Sequence, residues 1–166
     1  MRLFIAVHFS PAFLTALEAA QDMLRQKVRS GNFTAAQNLH LTLAFIGEWP
    51  DPAAVRRALD RVSVPPFTLS LSGSERFGAL YWAGLSRCPA LEELARQVRT
   101  ELAREAIPFD PKPFSPHITL ARKVEAPEPV TLLLPAAVTE VNKLSLMSSR
   151  RINGKLVYTE LCAKHL

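Results

Sequence analysis

The chain alternates short apolar runs with longer stretches in which apolar residues recur every three or four positions. Residues 3–9 form a β-branched and aromatic run typical of a strand, and Ser10-Pro11 then supplies a helix cap and a first-turn proline. The stripe that follows has spacings of four, three, four and four, which predicts a helix ending near Ser30-Gly31. Its members are Phe13, Leu17, Ala20, Leu24 and Val28.

The pattern then continues with a strand, a helix and another strand. A strand is predicted over residues 39–47, and Asp51-Pro52 caps a second helix that Pro65-Pro66 ends. A strand over residues 67–72 completes this first unit. The inward positions of the second helix are Val55, Leu59 and Val62.

A second unit repeats this order. Residues 80–85 form a strand-like run, a helix starts at Pro89, and another strand follows it. The inner stripe of this helix is Leu91, Leu94, Val98 and Leu102. Residues 140–150 and 155–163 flank Asn153-Gly154, a strong hairpin signal. The pattern predicts an internal duplication with repeat units of roughly 1–77 and 78–166 in a single bilobal domain.

The two units share a short motif. His40-Leu41-Thr42-Leu43-Ala44 and His117-Ile118-Thr119-Leu120-Ala121 lie 117 − 40 = 77 positions apart. In a strand each His shares a face with the Thr two residues later, while the apolar residues occupy the other face. A single His on an apolar strand is more often a core residue, but two copies with the same Thr partner favour a site.

The duplication predicts how these motifs meet. Two strand-helix-strand units pack most simply as lobes related by a pseudo-twofold axis, with equivalent strands facing each other across a central cleft. His40 and His117 would then oppose each other. The expected fold class is α+β, with duplicated βαβ units and two antiparallel sheets.

Two opposed imidazoles suit in-line displacement at phosphorus. One takes the proton of the attacking oxygen while the other gives a proton to the leaving oxygen, and an ordinary pKa of about 6.5 suits both tasks. Thr42 and Thr119 can donate to non-bridging phosphate oxygens, and Arg122 can add a charge-assisted fork. Phe45 and Trp82 are candidates for stacking on a base or for the core.

Composition and charge indicate the class of protein, the partners it can bind and its expected compartment. The 166 residues are 48% hydrophobic and 21% charged, which is ordinary globular composition, and the net charge of +5 favours an anionic partner such as nucleic acid. No apolar run is long enough for a membrane span, and the first residues do not match a signal peptide, so we expect a cytoplasmic protein. Zinc is the main competing hypothesis, but neither motif adds further ligands beyond its His.

The two motifs resemble those of the two-histidine (2H) phosphoesterase superfamily. Within it, the chain resembles the RNA 2′,3′-cyclic phosphodiesterases, also called 2′-5′ RNA ligases. The opening Arg2-Leu3-Phe4-Ile5-Ala6-Val7, the run Tyr81-Trp82-Ala83-Gly84 and the late Tyr158-Thr159-Glu160-Leu161 carry the resemblance further along the chain.

The resemblance implies an enzyme that opens a 2′,3′-cyclic phosphate to a 2′-phosphomonoester, without a metal or other cofactor. It implies that His40 donates a proton to the leaving 3′ oxygen and that His117 is the base that activates water. Arg122, Phe45 and Tyr158 are implied substrate contacts. We expect a monomer whose partner is an RNA or oligonucleotide with a 2′,3′-cyclic phosphate end. We do not expect it to bind a membrane.

Two alternatives stay open at this point. One is ligation, in which a 5′-hydroxyl replaces water as the nucleophile in the same displacement. The other is a non-catalytic protein that binds RNA ends, against which the intact His and Thr of both motifs argue. Turnover of a cyclic phosphate separates the binding protein from the enzyme.

Overall fold

A computed structural model describes all residues from 1 to 166 and has an α+β architecture. The three α-helices are α1 (Pro11–Arg25), α2 (Pro52–Asp60) and α3 (Pro89–Arg104), and a 3₁₀ turn spans Ala36–Asn38. The nine strands are β1 (Arg2–Val7), β2 (Ser30–Phe33), β3 (Leu41–Glu48), β4 (Phe67–Phe77), β5 (Leu80–Leu85), β6 (Ile118–Glu125), β7 (Val138–Val141), β8 (Lys143–Ile152) and β9 (Lys155–His165). The predicted fold class is confirmed.

The strands form two antiparallel sheets with matching strand orders. The first sheet is ordered β3-β1-β8-β9, and the second is ordered β2-β6-β5-β4-β7. If β2 is set aside, each strand of one sheet has a counterpart at the same place in the other, with β3 matching β6 and β1 matching β5. This correspondence is the pseudo-twofold relation that the sequence repeat predicts.

Each sheet nevertheless contains strands from both repeat units. β4, which ends the first unit, pairs with β5 of the second, while β8 from the end of the chain pairs with β1. A tight turn containing Gly78, at a φ of 58°, joins β4 to β5. Two antiparallel strands can be joined by a short turn, so β4 pairs with β5, the next strand in the chain. The predicted boundary between the repeat units at residue 77 therefore falls inside a hairpin.

The helix starts agree with the sequence, but two helix ends do not. The Ser10 hydroxyl accepts from the Phe13 N–H, and the Asp51 carboxylate accepts from the Ala54 N–H, so both predicted caps are present. α2 ends at Asp60 rather than at Pro65-Pro66. The buried Val62 therefore lies just outside the helix.

The larger error concerns the end of α1. The helix stops at Arg25 instead of near Ser30-Gly31, Val28 lies outside it, and β2 forms along the edge of β6. The Arg29 N–H donates to the Glu125 carbonyl at 2.7 Å just before this pairing begins. The prediction was wrong because hydrogen bonds to a distant sheet edge outweigh local helical periodicity.

The segment predicted as one strand over residues 140–150 is also divided. It contains the end of β7, which pairs with β4 in the second sheet, and most of β8, which pairs with β1 in the first. Asn142 separates the two strands. The Asn153-Gly154 hairpin is confirmed, with φ angles of 51° and 77° at its two turn residues.

The apolar face of each motif strand is in the core. Leu41, Leu43, Ile118 and Leu120 are each 0% exposed and belong to a cluster of 35 buried residues that draws on both repeat units. A separate cluster of Phe4, Ala6 and Met147, with Tyr158 packed on it, covers the opposite face of the first sheet. No helix of the structure is both long and apolar enough to cross a membrane.

Candidate active site

His40 lies between the 3₁₀ turn and β3, where the backbone holds its ring in one orientation. Its Nδ1 lies 2.7 Å from the Asn38 carbonyl oxygen, which can only accept, so Nδ1 carries a proton. Its Nε2 lies 3.0 Å from the Thr42 hydroxyl, on the same face as the motif predicts. In neutral His40 the lone pair is therefore on Nε2, and in the imidazolium Nε2 is a donor.

His117 is held in the same way at the start of β6. Its Nδ1 lies 2.7 Å from the Ser115 carbonyl oxygen, which again fixes the proton on Nδ1 and leaves Nε2 free. Asn38 and Ser115 are 115 − 38 = 77 positions apart, the same offset as the histidines. The duplication therefore includes the carbonyl that orients each imidazole.

The surroundings of the two histidines differ. His40 is half-buried, with ring centroids of Phe4 and Tyr158 at 5.0 Å and 5.3 Å. His117 is exposed and has the Trp82 ring edge-on at a centroid distance of 5.7 Å. The pseudo-twofold relation thus holds for the backbone but not for the rings that pack on each imidazole.

Burial lowers the pKa of His40 below its ordinary value, because the charged imidazolium loses solvation. The hydrogen bond to the Asn38 carbonyl acts in the opposite direction, and the positive charges of His8, Arg122 and His117 lower the pKa further. These charges therefore lie close enough to His40 to act on it. Arg122 and His117 belong to the second motif, so charges from both motifs act on this imidazole.

Phe45 shares the cleft face with Thr42 because of a β-bulge. Two successive residues of β1 pair with Thr42 and Ala44, so Leu43 is an extra residue in β3. Strict alternation would place Phe45 on the face opposite Thr42, and the extra residue reverses this. The Phe45 ring is 37% exposed, and the guanidinium of Arg2 lies 5.2 Å from its centroid.

The same bulge occurs in the second motif. Two successive residues of β5 pair with Thr119 and Ala121, which leaves Leu120 as the extra residue in β6. Arg122 is thereby brought to the cleft face, in agreement with the effect of its charge on His40. Thr119 is half-buried and its hydroxyl makes no hydrogen bond within the protein, unlike that of Thr42.

Tyr158 completes the first-sheet side of the cleft. Its ring packs edge-on against Phe4 at 4.9 Å and against His40. Burial raises the pKa of Tyr158, while the charges of Arg122 and Arg2 partly offset that effect. Its hydroxyl therefore remains protonated at neutral pH and can donate a hydrogen bond to an anion.

The segment that leads into the second motif is anchored to the first motif strand. The Asp110 N–H donates to the Phe45 carbonyl at 2.8 Å. The Arg99 guanidinium donates to the Lys112 carbonyl at 2.7 Å and to the Leu43 carbonyl at 3.4 Å. These bonds tie α3 and the segment before the second motif to the strand that carries the first motif.

Sequence reasoning did not identify Asn38, Ser115 and Phe4, which orient or pack the imidazoles. The first two carry a signal that could have been used, since they repeat at the offset of the histidines. Phe4 carries no such signal, because its role depends on the strand pairing of β1. No group of three or more His, Cys, Asp or Glu side chains that could hold a metal ion is present.

Comparisons with known proteins place this geometry in a family. The model of the 2′-5′ RNA ligase superfamily matches residues 10–153, which include both motifs. An Escherichia coli K12 protein named RNA 2′,3′-cyclic phosphodiesterase is 38% identical over 144 residues, covering 80% of this chain and 78% of its own.

Solved structures agree with this match over the whole fold. The crystal structure of E. coli LigT complexed with 3′-AMP aligns with a TM-score of 0.85 at 31% identity, over 99% of this chain and 97% of its own. TT0787 of Thermus thermophilus aligns with a TM-score of 0.86, also at 31% identity, over 100% and 98% of the two chains. The chain therefore belongs to the 2′-5′ RNA ligase superfamily of two-histidine phosphoesterases.

Proposed function

We propose that this protein hydrolyses RNA 2′,3′-cyclic phosphate ends to 2′-phosphomonoesters by acid-base catalysis with two histidines and no metal ion. The observation that carries the proposal is the matched orientation of the two imidazoles. His40 and His117 each have Nδ1 bound to a carbonyl two residues upstream, so each presents Nε2 for proton transfer. The names of the relatives support the choice of substrate.

The proposed step moves one proton on each side of phosphorus. His117 Nε2 takes a proton from water as the water oxygen bonds to phosphorus, and the bond from phosphorus to the 3′ oxygen breaks. His40, as the imidazolium, gives its Nε2 proton to the departing 3′ oxygen. The 2′ oxygen keeps the phosphate, and the two histidines end in exchanged protonation states.

The lowered pKa of His40 is consistent with this role once substrate is bound. In the free protein, burial disfavours the imidazolium that a proton donor needs. An anionic phosphate beside His40 favours the charged form and raises its pKa. Substrate binding and protonation of His40 are therefore coupled, and the acid is charged when the phosphate is in place.

The remaining side chains of the cleft bind the phosphate oxygens. The hydroxyls of Thr42, Thr119 and Tyr158 are hydrogen-bond donors, and Arg122 supplies a positive charge. Phe45 offers an exposed aromatic ring on the same face as Thr42. Each of these groups is assigned to binding rather than to proton transfer.

The test is an assay of purified, chelator-treated protein on an RNA oligonucleotide with a 2′,3′-cyclic phosphate end. We expect turnover to a 2′-phosphate, identified by ³¹P NMR, and its loss in His40→Ala and His117→Ala. The exposed His165 gives a matched control, so His165→Ala should retain the wild-type rate. A 3′-phosphate product, or activity only after addition of zinc or magnesium, would overturn the proposal.

Ligation is a second candidate because the matched family carries that activity in its description. The same assay with an added RNA that bears a 5′-hydroxyl end tests it. A product with a 2′-5′ linkage would show that the hydroxyl can replace water. A cleft that binds the RNA without turning it over would instead support the non-catalytic alternative.

A further inference from the structure

The floor of the cleft on the first sheet has two chemically different ends. Strand pairing places Arg2 beside Ser149, and Ser149 beside Tyr158, so all three share the face that carries the catalytic contacts. One step further along the same hairpin, Arg151 pairs with Leu156. Because side chains alternate, Arg151 lies on the same face as Ser149 and Tyr158.

The arginines at this end form no salt bridge, although Glu48 lies opposite Arg2 in β3, where it binds the N-terminal ammonium. Neither Arg2 nor Arg151 forms a salt bridge, whereas several arginines elsewhere do, among them Arg25, Arg57, Arg61, Arg96 and Arg104. The Arg151 guanidinium makes one long hydrogen bond, 3.4 Å, to the Gly154 carbonyl. Most of its donors therefore remain available to an anion.

The opposite end of the same floor is neutralised. There the Lys143 ammonium lies 3.3 Å from a Glu160 carboxylate oxygen, and the same oxygen accepts from the Ser145 hydroxyl at 2.5 Å. A phosphate approaching this end would meet a carboxylate already bound to its cation. The charge asymmetry favours an anionic chain at the end formed by Arg2 and Arg151.

A direct hydrogen bond connects this basic end to the catalytic loop. The Asn38 side-chain amide donates to the carbonyl of Leu156, the residue paired with Arg151, at 2.9 Å. The Asn38 carbonyl in turn accepts from His40. The tip of the β8–β9 hairpin is thus fixed next to the loop that orients His40, the proposed acid. The basic end is therefore not remote from the proposed site.

We infer that the RNA strand attached to the reacting nucleotide leaves the cleft over Arg2 and Arg151, whose guanidinium groups bind its phosphodiesters. This rests on the proposed function and specifies its substrate as a polyribonucleotide end rather than a mononucleotide. Guanidinium groups bind phosphate through charge-assisted, often bidentate hydrogen bonds. Neutralised phosphates release counterions, so binding at this end depends on salt concentration.

The chain supplies a matched control for the test. Arg150 precedes Arg151 in β8, is also exposed, and lies on the reverse face of the hairpin. Arg150→Gln and Arg151→Gln therefore remove the same charge one residue apart, on opposite faces. Both variants are compared with the wild type on a nucleoside 2′,3′-cyclic phosphate and on an oligoribonucleotide with the same terminal nucleotide.

We expect Arg151→Gln to lower the ratio of oligonucleotide to mononucleotide kcat/KM by roughly two- to fivefold, the size of an exposed ion pair. It should also reduce the slope of log kcat/KM against log salt on the oligonucleotide by roughly 0.7, the value for one single-strand phosphate. Arg2→Gln should act in the same direction. Arg150→Gln should leave the ratio and the slope at their wild-type values.

Equal effects of Arg150→Gln and Arg151→Gln would overturn the inference, since a general loss of charge would then explain both. An unchanged ratio in Arg151→Gln would overturn it as well. Failure of the proposed function gives a different result, because it shows in the wild-type protein itself, as no turnover of either substrate, a 3′-phosphate product or a requirement for added zinc or magnesium. The mononucleotide reaction therefore separates an error in the exit path from an error in the chemistry.

Discussion

Thr42 and Phe45 lie on the same face of β3 although they are three residues apart, because Leu43 is an extra residue at a β-bulge. The second motif has the same bulge, which brings Arg122 to the face of Thr119. Each repeat therefore carries a His, a Thr and a third side chain on one face of its motif strand. The third side chain differs between the repeats. It is the aromatic Phe45 in the first repeat and the cationic Arg122 in the second.

The cleft position of Arg122 can be tested through its effect on His40. The positive charge of Arg122 lowers the pKa of His40, so Arg122→Gln should raise that pKa toward its ordinary value. We expect NMR titration of the His40 ring protons to show a midpoint at higher pH in Arg122→Gln. The neighbouring Lys123→Gln is the control, and a midpoint that moves equally in both variants would contradict the placement of Arg122.

The burial of His40 predicts a dependence of its pKa on ligand. In the free protein the titration midpoint should lie below about 6.5, and inorganic phosphate should move it to higher pH because the anion favours the imidazolium. The same NMR titration with and without phosphate measures both values. A midpoint that phosphate leaves in place would mean that the anion does not bind beside His40.

The proposed chemistry predicts a bell-shaped dependence of kcat/KM on pH. The charged form of His40 is lost as pH rises through its pKa, and the base of the reaction must be neutral to take a proton from water, so the rate also falls at low pH. Initial rates on a cyclic phosphate across the neutral range measure both limbs. A profile with a single limb would show that one of the two histidines does not titrate in the mechanism.

The threonines should matter less than the histidines. A neutral hydrogen bond to a phosphate oxygen is worth roughly 0.5–1.5 kcal/mol, so Thr42→Val and Thr119→Val should each lower kcat/KM by about two- to tenfold. Steady-state kinetics on the same substrate as the histidine variants provide the comparison. If Thr42→Val were as severe as His40→Ala, the hydroxyl would need a chemical role beyond binding.

Local patterns in the sequence were sufficient to predict much of this structure. The repeat at 77 residues predicted two matching sheets, and the alternation within each motif predicted that Leu41 and Ile118 lie in the core. The caps at Ser10 and Asp51 were also correct, because a side chain that accepts from the next turn is a local feature. The caps and the alternation depend only on residues close together in the chain, and the repeat is visible as a sequence match.

The features that were missed depend on pairing between distant residues. β2 has no alternation of its own and forms because the edge of β6 offers unpaired hydrogen-bonding groups. The bulge at Leu43 exists only in relation to β1, so the sequence of β3 alone gives no sign that Phe45 lies on the face of Thr42. The repeat likewise gave no sign that β4 pairs with β5 in a hairpin or that β8 pairs with β1 from the opposite end of the chain.

The central claim is that His40 and His117 are the two ends of one proton movement at a single phosphorus. His40→Ala and His117→Ala should each lower the rate by about 10²- to 10⁴-fold, the usual size of a positioned acid or base. The double variant should lose much less than the product of the two losses, because residues that act as a unit are not additive.

Substrate chemistry gives the most direct measurement of the two roles. A cyclic phosphodiester with a better leaving group needs less help from an acid, so its rate with His40→Ala should recover toward the wild-type rate. The rate with His117→Ala should remain low, because activation of water is still required. Equal recovery in both variants, or recovery in His117→Ala alone, would contradict the assignment of donor and base.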